Sequence, residues 1–416
     1  MRILELRKGS AEETELLEAA AAAHGDWVMA AAALMQRLWL MRSAWAPGLR
    51  YIGGLAHAPD VDAGPASAPL SVGGAGLRLE DALAGCLAEA VERTAQIERD
   101  GDVVLSAPLD AVDIPDQIGE LIDLVLAHDR AATRGPIDWV RARDVVTGAE
   151  TLVPADWCLR RRKPTVLGVP GAALSTGCAA ATSAQEALVR GLLELIERDA
   201  ASLWWLAGQP PTRLRPDSPE AAAFLRLRAE LRQSESPRRI TRVLDITSDL
   251  SVPVMAAIAH HADGTGLAIG LAARPSPARA AGRALIELCQ MELGLELAVD
   301  KRAQIGEAAL TDADRRHLER ATAQVADLPM LAATDTPRHQ RMTTDRADRI
   351  GHLSAALVQV DAAAWHVDLT RADSGLNVVK AIAPRLQPMP ADLETARLSS
   401  VRRAHTNAPR APLRLM

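Results

Sequence analysis

Two well-separated segments carry the same charged pattern, and this repetition constrains the fold more than any other feature of the chain. Residues 82–93 read ALAGCLAEAVER and residues 187–198 read ALVRGLLELIER. In both, apolar residues recur at helical spacing, and two glutamates three residues apart precede an arginine. Side chains at positions i and i+3 share one face of a helix. The pattern therefore predicts two helices that each present a pair of carboxylates beside apolar packing positions.

The four glutamates of these helices raise the question of what neutralises them. Like charges on one helix face repel, and partly buried carboxylates need a cation nearby. Carboxylate ligands without histidine favour Mg²⁺, which usually bridges protein carboxylates to a phosphate. The alternative is two surface helices whose E-x-x-E-R faces form weak ion pairs. The spacing alone does not distinguish these two interpretations. The residues concerned are Glu89, Glu92, Glu194 and Glu197, and a third predicted helix offers the variant Arg283, Glu287 and Gln290.

Composition excludes several classes of function. The net charge is −6, and the chain has one Tyr, one Phe and eight Trp. A nucleic-acid-binding protein usually has a basic face or aromatic base-stacking positions, so we expect no nucleic-acid partner. No apolar stretch is long enough to span a bilayer, so no membrane partner is expected. The four Cys residues show no paired spacing, which is typical of a reduced, cytoplasmic protein.

The order of predicted elements favours an α+β fold of mixed sheets with packed helices. Helical patterns cover residues 79–99, 183–201 and about 277–298, and residues 11–48 also have a helical composition. Apolar β-type runs lie between them, including residues 137–140, 252–259, 356–360 and 376–383. Strands and helices alternate too irregularly for a strict βαβ series. The Pro- and Arg-rich end, from residue 384, is predicted to be extended.

Familiar nucleotide and hydrolase motifs are missing. The sequence has no GxxxxGK[ST], no HExxH and no GxSxG. The Gly-rich run at residues 73–76 lacks the lysine of a phosphate-binding loop, and a turn before a helix explains it equally well.

Several separated motifs together resemble the YcaO family of ATP-dependent peptide-modifying enzymes. They are GGAGLRLEDALAGCLAEAVER, STGCAAATSAQEALVRGLLELIERDA, VLDITSDLSVPV, RALIELCQ and DLTRADSGLNVVKAIAPRLQP, in an order and spacing that agree over roughly residues 71–400. The segment IDWVRARDVVTGAETLVPA resembles the branch that forms azoline rings. The resemblance implies a YcaO-like ATP-binding fold for residues 71–400, preceded by a divergent, helical N-terminal region (1–70) and followed by a Pro/Arg-rich tail (401–416).

The resemblance also implies a chemistry and a set of site residues. Family members bind ATP and Mg²⁺, and the azoline-forming members convert Cys, Ser or Thr of a precursor peptide into thiazoline or oxazoline rings. ATP phosphorylates the oxygen of the cyclised amide, and phosphate then leaves. The metal ligands implied are Glu89, Glu92, Glu194 and Glu197. The nucleotide contacts implied are Lys8, Thr182, Glu186, Arg198, Arg283 and Glu287, of which Arg198, Arg283 and Glu287 are also assigned to catalysis.

Departures from the family pattern keep two alternatives open. Gly85 stands where the family often has Ser, Ala75 where it often has Lys, and only Pro409 and Pro412 remain of a Pro-rich C-terminal motif. The alternatives are ATP-dependent thioamidation with a TfuA-type partner and a non-catalytic scaffold. In each case we expect a precursor peptide, a leader-binding or E1-like partner protein, and a homo-oligomer or hetero-complex.

Overall fold

A computed structural model of the chain describes residues 2–57, 69–128, 135–163, 166–167, 174–233, 239–335, 349–389, 393–405 and 415. The helices within these ranges lie on both sides of the strands and between them. They are α1 (Ala11–His24), α2 (Trp27–Ala32), α3 (Leu79–Ala95), α4 (Asp116–His128), α5 (Ala184–Trp205), α6 (Pro219–Arg232), α7 (Pro277–Ile305), α8 (Asp312–Thr322), α9 (Arg349–Gln359) and α10 (Ala396–Ala404).

The described strands form three antiparallel sheets. The first has the order β1 (Arg2–Leu6), β2 (Met35–Arg42), β3 (Arg50–Ala56) and β4 (Leu70–Gly76). The second has the order β12 (Ala268–Ala273), β11 (Val254–His260), β10 (Ile240–Asp245) and β9 (Thr212–Arg213). The third has the order β5 (Leu105–Ala107), β6 (Ile137–Asp144), β13 (Trp365–Asp368), β14 (Asn377–Ile382) and β8 (Cys178–Ala181), with β7 (Glu150–Pro154) also paired to β6. Helices and antiparallel sheets together confirm the predicted α+β class.

Each sheet ends in an edge strand that leads directly into a long helix. Strand β4 precedes α3, β8 precedes α5, and β12 precedes α7, with short connections in all three cases. The side chains of Ser183 and Ser276 cap α5 and α7 by accepting backbone N–H bonds. These three strand–helix units account for the three helices that the carboxylate pattern predicts.

The first unit depends on a close approach between β4 and α3. A Cβ atom on Gly74 would collide with the backbone of Ala82 and Cys86 in α3. Glycine at this position lets the helix lie directly against the strand. The Gly-rich run is therefore a strand of the sheet, and the interpretation as a turn is wrong.

Strand β11 of the second sheet is buried on both faces. Every residue of β11 is buried, and its side chains alternate between two apolar clusters. Val254, Ala256 and Ile258 pack in the cluster that contains residues of α5 and α9. Met255, Ala257 and Ala259 pack in the cluster formed with α6 and α7. Helices α5 and α7 therefore lie on opposite faces of this sheet, and both flank its edge strand β12.

Several predictions of local structure are wrong. Residues 35–42 form strand β2 rather than helix, because they pair with β1 on one side and β3 on the other. Residues 356–360 fall largely in α9, since Leu353, Ala356 and Leu357 form the buried face of a helix. Residues 401–404 belong to α10, while Pro409 and Pro412 lie outside the described residues.

The first sheet crosses the predicted boundary between residues 1–70 and 71–400. Strand β4 starts at residue 70 and pairs with β3, so a single sheet contains residues from both sides of the predicted domain boundary. All four Cys residues are free and buried, as small apolar residues often are. Among the described residues, no helix combines the length and apolar character needed to cross a bilayer.

Candidate functional site

A large cavity lies where the three strand–helix units meet. Its volume is about 890 Å³. Helices α3, α5 and α7, strand β8 and the β12–α7 connection supply most of its wall. Its charged lining residues are Glu92, Glu186, Arg190, Glu194, Glu197, Arg198, Arg274, Arg279, Arg283, Glu287 and Arg349.

The glutamates lie in or beside the cavity wall because the three helices position them alike. Glu89, Glu194 and Glu287 each stand ten residues after the first residue of their helix. Glu92 and Glu197 follow one turn later in α3 and α5, on the same helix faces. Equivalent positions on three converging helices therefore bring the carboxylates together.

Backbone N–H groups of the preceding strands fix three of these carboxylates. Gly73 of β4 donates to Glu89 Oε2 at 2.8 Å, and Ala273 of β12 donates to Glu197 Oε2 at 3.0 Å. Gly177, just before β8, donates to Glu194 Oε2 at 3.1 Å. Gly177 has a φ of +81°, a conformation that favours glycine, so the turn that aims this N–H group depends on it. Glu89 and Glu194 thus accept from the strand region of their own unit, whereas Glu197 of α5 accepts from β12 of the neighbouring unit.

Arg198 lies between two of the glutamates. Its Nη2 is 3.4 Å from Glu194 Oε1, and its Nη1 is 3.7 Å from Glu197 Oε1. The side chain of Glu197 is 8% exposed, whereas that of Glu194 is partly open to the cavity. Arg198 therefore neutralises part of the negative charge of α5.

The carboxylates nevertheless remain crowded. Burial raises the pKa of Glu92 well above its ordinary value, and the charges of Glu194 and Glu89 raise it further. Burial raises the pKa of Glu287 to about 7, with Glu197 as the next cause. Burial also raises the pKa values of Glu89 and Glu194. Such shifts indicate carboxylates that lack sufficient positive charge around them and would be stabilised by a bound cation.

A buried lysine supplies part of the missing charge. Lys380 of β14 is 5% exposed, and its ammonium group donates to the carbonyls of Leu174 at 2.7 Å and Thr176 at 2.5 Å. Its charge lowers the pKa values of Glu92 and Glu194. The sequence offered one signal for it, a single lysine within a mostly apolar predicted strand.

The donor chemistry of the cavity fits Mg²⁺ accompanied by phosphate. Carboxylate oxygens suit a hard cation, and the arginines suit phosphate oxygens. Within the described part of the chain, no three Asp, Glu, His or Cys side chains are close enough to hold a metal ion by themselves. An ion bound here would complete its coordination with phosphate and water, as Mg²⁺ commonly does.

The thiol in the wall is unsuited to nucleophilic catalysis. Burial raises the pKa of Cys178 well above its ordinary value, and Glu92 raises it further. The thiol is therefore protonated at neutral pH, and the thiolate is the reactive form.

Not every predicted site residue reaches the cavity. Glu89 contacts Gly73 and pairs with Arg93 at 3.6 Å, but it is not part of the lining. Lys8 is exposed, donates to the carbonyl of Met35 at 3.1 Å and does not line the cavity. Thr182 is exposed and also lies outside the lining. Arg93, which the E-x-x-E-R pattern offered as a phosphate donor, donates instead to the carbonyl of Ser71.

Glu186 is on the wall but already has cationic partners. Arg349 of α9 lies 2.7 Å from its Oε2, and Arg190 lies 3.3 Å from its Oε1. The sequence did not identify Arg190, Arg279, Arg349 or Arg274 as site residues. These arginines lie on α5, α7, α9 and the β12–α7 connection, so they meet only because those elements pack around one cavity.

Comparison with known proteins agrees with this geometry. The sequence model of a protein family described as YcaO cyclodehydratase, ATP- and Mg²⁺-binding, matches residues 73–387. A protein of Rhizobium leguminosarum bv. trifolii, named as an uncharacterized protein in the tfuA 3′ region, is 29% identical over an alignment of 252 residues that covers 56% of each chain. The present chain thus matches about half the length of that relative.

Two solved structures have the same fold. One is a heterocyclase in complex with substrate and cofactor, with a TM-score of 0.69 and 20% identity, over 94% of this chain and 55% of the other. The second is YcaO from Methanopyrus kandleri bound with AMPPCP and Mg²⁺, with a TM-score of 0.57 and 20% identity, over 90% of each chain. At these identities the likeness confirms the fold.

Proposed function

The chain belongs to the YcaO family, whose members bind ATP and Mg²⁺, and from this premise we propose that it is an ATP-dependent enzyme acting on backbone amides of a ribosomally made precursor peptide. One observation carries the proposal. Carboxylates from α3, α5 and α7 converge on a single cavity whose wall also contains several arginines. This combination suits a metal–phosphate complex, in which positioning and charge neutralisation supply most of the catalysis.

We assign the residues of the cavity by chemistry. Glu92, Glu194 and Glu197 would bind Mg²⁺ together with phosphate oxygens, and the metal contact predicted for Glu89 stays a prediction. Mg²⁺ neutralises the charge of the phosphates when it is bound.

The arginines of the wall suggest roles for most of the remaining predicted site residues. Arg198 and Arg283 would donate to phosphate oxygens, and Glu287 lies close enough for both guanidinium groups to lower its pKa. Glu186 orients Arg190 and Arg349 through its ion pairs. The nucleotide contacts predicted for Lys8 and Thr182 stay predictions.

The reaction we propose is cyclodehydration to thiazoline or oxazoline. The Cys, Ser or Thr side chain of the peptide attacks the preceding carbonyl carbon and loses its proton. The former carbonyl oxygen accepts the terminal phosphoryl group of ATP, which leaves ADP. That oxygen departs as phosphate while the amide nitrogen loses its proton and forms the C=N bond. The peptide has then lost one water for each ring.

A second candidate is thioamidation, which uses the same activation with an external sulfide as nucleophile. The observation that favours it is the relative from Rhizobium leguminosarum, whose name places it in a tfuA 3′ region. In that case a TfuA-type protein is the expected partner. For cyclodehydration we propose a leader-binding or E1-like partner that presents the precursor peptide.

A single product measurement separates these reactions. We expect the protein, incubated with ATP, Mg²⁺, a Cys-containing precursor peptide and its partner, to give a peptide lighter by one water per ring. Exchange of one oxygen for sulfur in the presence of sulfide would establish thioamidation instead. Mass spectrometry of the peptide, with ATP omitted as the control, distinguishes the two. Failure to bind nucleotide at millimolar ATP and Mg²⁺ would contradict both and support the scaffold alternative.

A further inference from the structure

Arg274 holds a position in the cavity that neither the sequence motifs nor the family chemistry assign. It is the first residue after edge strand β12, and it lines the cavity. Its Nη1 donates to the carbonyl of Ala273 at 2.6 Å. The N–H group of the same Ala273 donates to Glu197 at 3.0 Å. Ala273 therefore contacts both side chains, which places Arg274 close to Glu197.

The contacts of Arg274 differ from those of three other arginines of the wall. Arg190 and Arg349 pair with Glu186, and Arg198 pairs with Glu194 and Glu197. The closest described hydrogen-bond acceptor of Arg274 is the adjacent backbone carbonyl, which carries no formal charge.

The charges near Arg274 come from two helices. Arg283 and Glu287 project from α7, while Glu197 and Arg190 project from α5. Burial lowers the pKa of Arg274, and the guanidinium of Arg283 is the next cause. Arg274 and Arg283 line the same cavity, where their two positive charges repel, and a bound anion removes that repulsion.

We propose that Arg274, together with Arg283, binds the terminal phosphate of the nucleotide. The inference rests on the proposed function and extends it by one residue. Proximity to Glu197 selects the terminal phosphate, because a carboxylate-bound Mg²⁺ bridges the β- and γ-phosphates in phosphoryl-transfer sites. A guanidinium offers several donors in a planar fork that matches phosphate oxygens, whereas lysine offers a point charge.

Nucleotide binding measured by calorimetry tests this without relying on turnover. The unaltered protein, Arg274→Gln and Arg274→Lys are titrated with AMPPCP and with ADP, each with Mg²⁺. Because a hydrogen bond to a charged group contributes about 1.5–3 kcal/mol, we expect Arg274→Gln to weaken AMPPCP binding about tenfold or more. ADP, which lacks the terminal phosphate, should lose much less affinity, and Arg274→Lys should recover part of the loss for AMPPCP.

The control is Arg215→Gln, which removes an exposed guanidinium that does not line the cavity. It should bind both nucleotides like the unaltered protein. Equal weakening of ADP and AMPPCP by Arg274→Gln, or no weakening of either, would overturn the assignment while leaving the proposed function in place. If the unaltered protein bound neither nucleotide, the proposed function would fail and this inference with it.

Discussion

Replacing Glu197 by glutamine should abolish ATP-dependent turnover and leave the fold intact. Glu197 is buried beside Arg198, and its Oε2 accepts the N–H bond of Ala273. Glutamine keeps the shape and can still accept that bond, but it removes the charge that a metal ion requires. We expect a fall in the turnover rate of at least about a hundredfold, comparable with the loss of a central electrostatic group in other active sites.

Glu197→Ala and Glu92→Ala should be equally inactive, although alanine at position 197 also leaves the N–H group of Ala273 without its acceptor. Glu15→Gln on α1 is the matched control, because Glu15 is exposed and lies outside the cavity. Circular dichroism and thermal unfolding should show the same fold in all variants. Normal turnover by Glu197→Gln would refute the role assigned to this carboxylate.

Replacing Arg397 by methionine should strongly destabilise the protein. Asp199 follows Arg198 in α5 and is fully buried, with 0% of its side chain exposed. Arg397 of α10 donates to both of its oxygens at 2.9–3.0 Å, and the N–H group of Gln387 donates to Oδ1 at 2.9 Å. Removal of the guanidinium leaves a buried charge, which typically costs about 3–5 kcal/mol of the free energy of unfolding.

The pH dependence of this loss is part of the prediction. Burial raises the pKa of Asp199, and Arg397 opposes that effect. In Arg397→Met the folded-state pKa should rise further above the unfolded value, so the folded form takes up a proton as the pH falls. The deficit in stability should therefore shrink toward acidic pH. Denaturant unfolding at several pH values measures it, and adding Asp199→Asn to the variant should recover part of the loss at neutral pH. A deficit that does not change with pH would contradict the explanation.

The sequence predicted the chemical core of the site because that core is encoded locally. Spacing of three residues within a helix puts Glu194 and Glu197 on one face, whatever surrounds the helix. The same argument gave Glu92, and the third helix gave Glu287. What spacing could not decide was whether the helices meet or face solvent. The structure answers this, since all four residues line one cavity.

Predictions from local sequence failed where contacts between residues far apart in the chain determine the structure. Residues 35–42 have a composition compatible with a helix, yet they pair along their length with β1 and β3. Arg274 lies in the cavity wall because β12 places it there, and no local motif marks it. Lys380 reaches the glutamates on β14, and its only signal in the sequence was a lysine within a mostly apolar strand. Lys8, which the family resemblance assigns to the nucleotide, donates to the carbonyl of Met35 in this structure, and its nucleotide contact stays a prediction.

The central claim is that carboxylates from three helices gather around a divalent cation and the phosphates of a nucleotide. Crystals grown with AMPPCP and Mn²⁺ in place of Mg²⁺ test it most directly, because anomalous scattering locates the metal. We predict Mn²⁺ within the cavity, between the phosphates and the carboxylates of Glu92, Glu194 and Glu197. Nucleotide bound elsewhere on the protein, or Mn²⁺ bound away from these glutamates, would contradict the account.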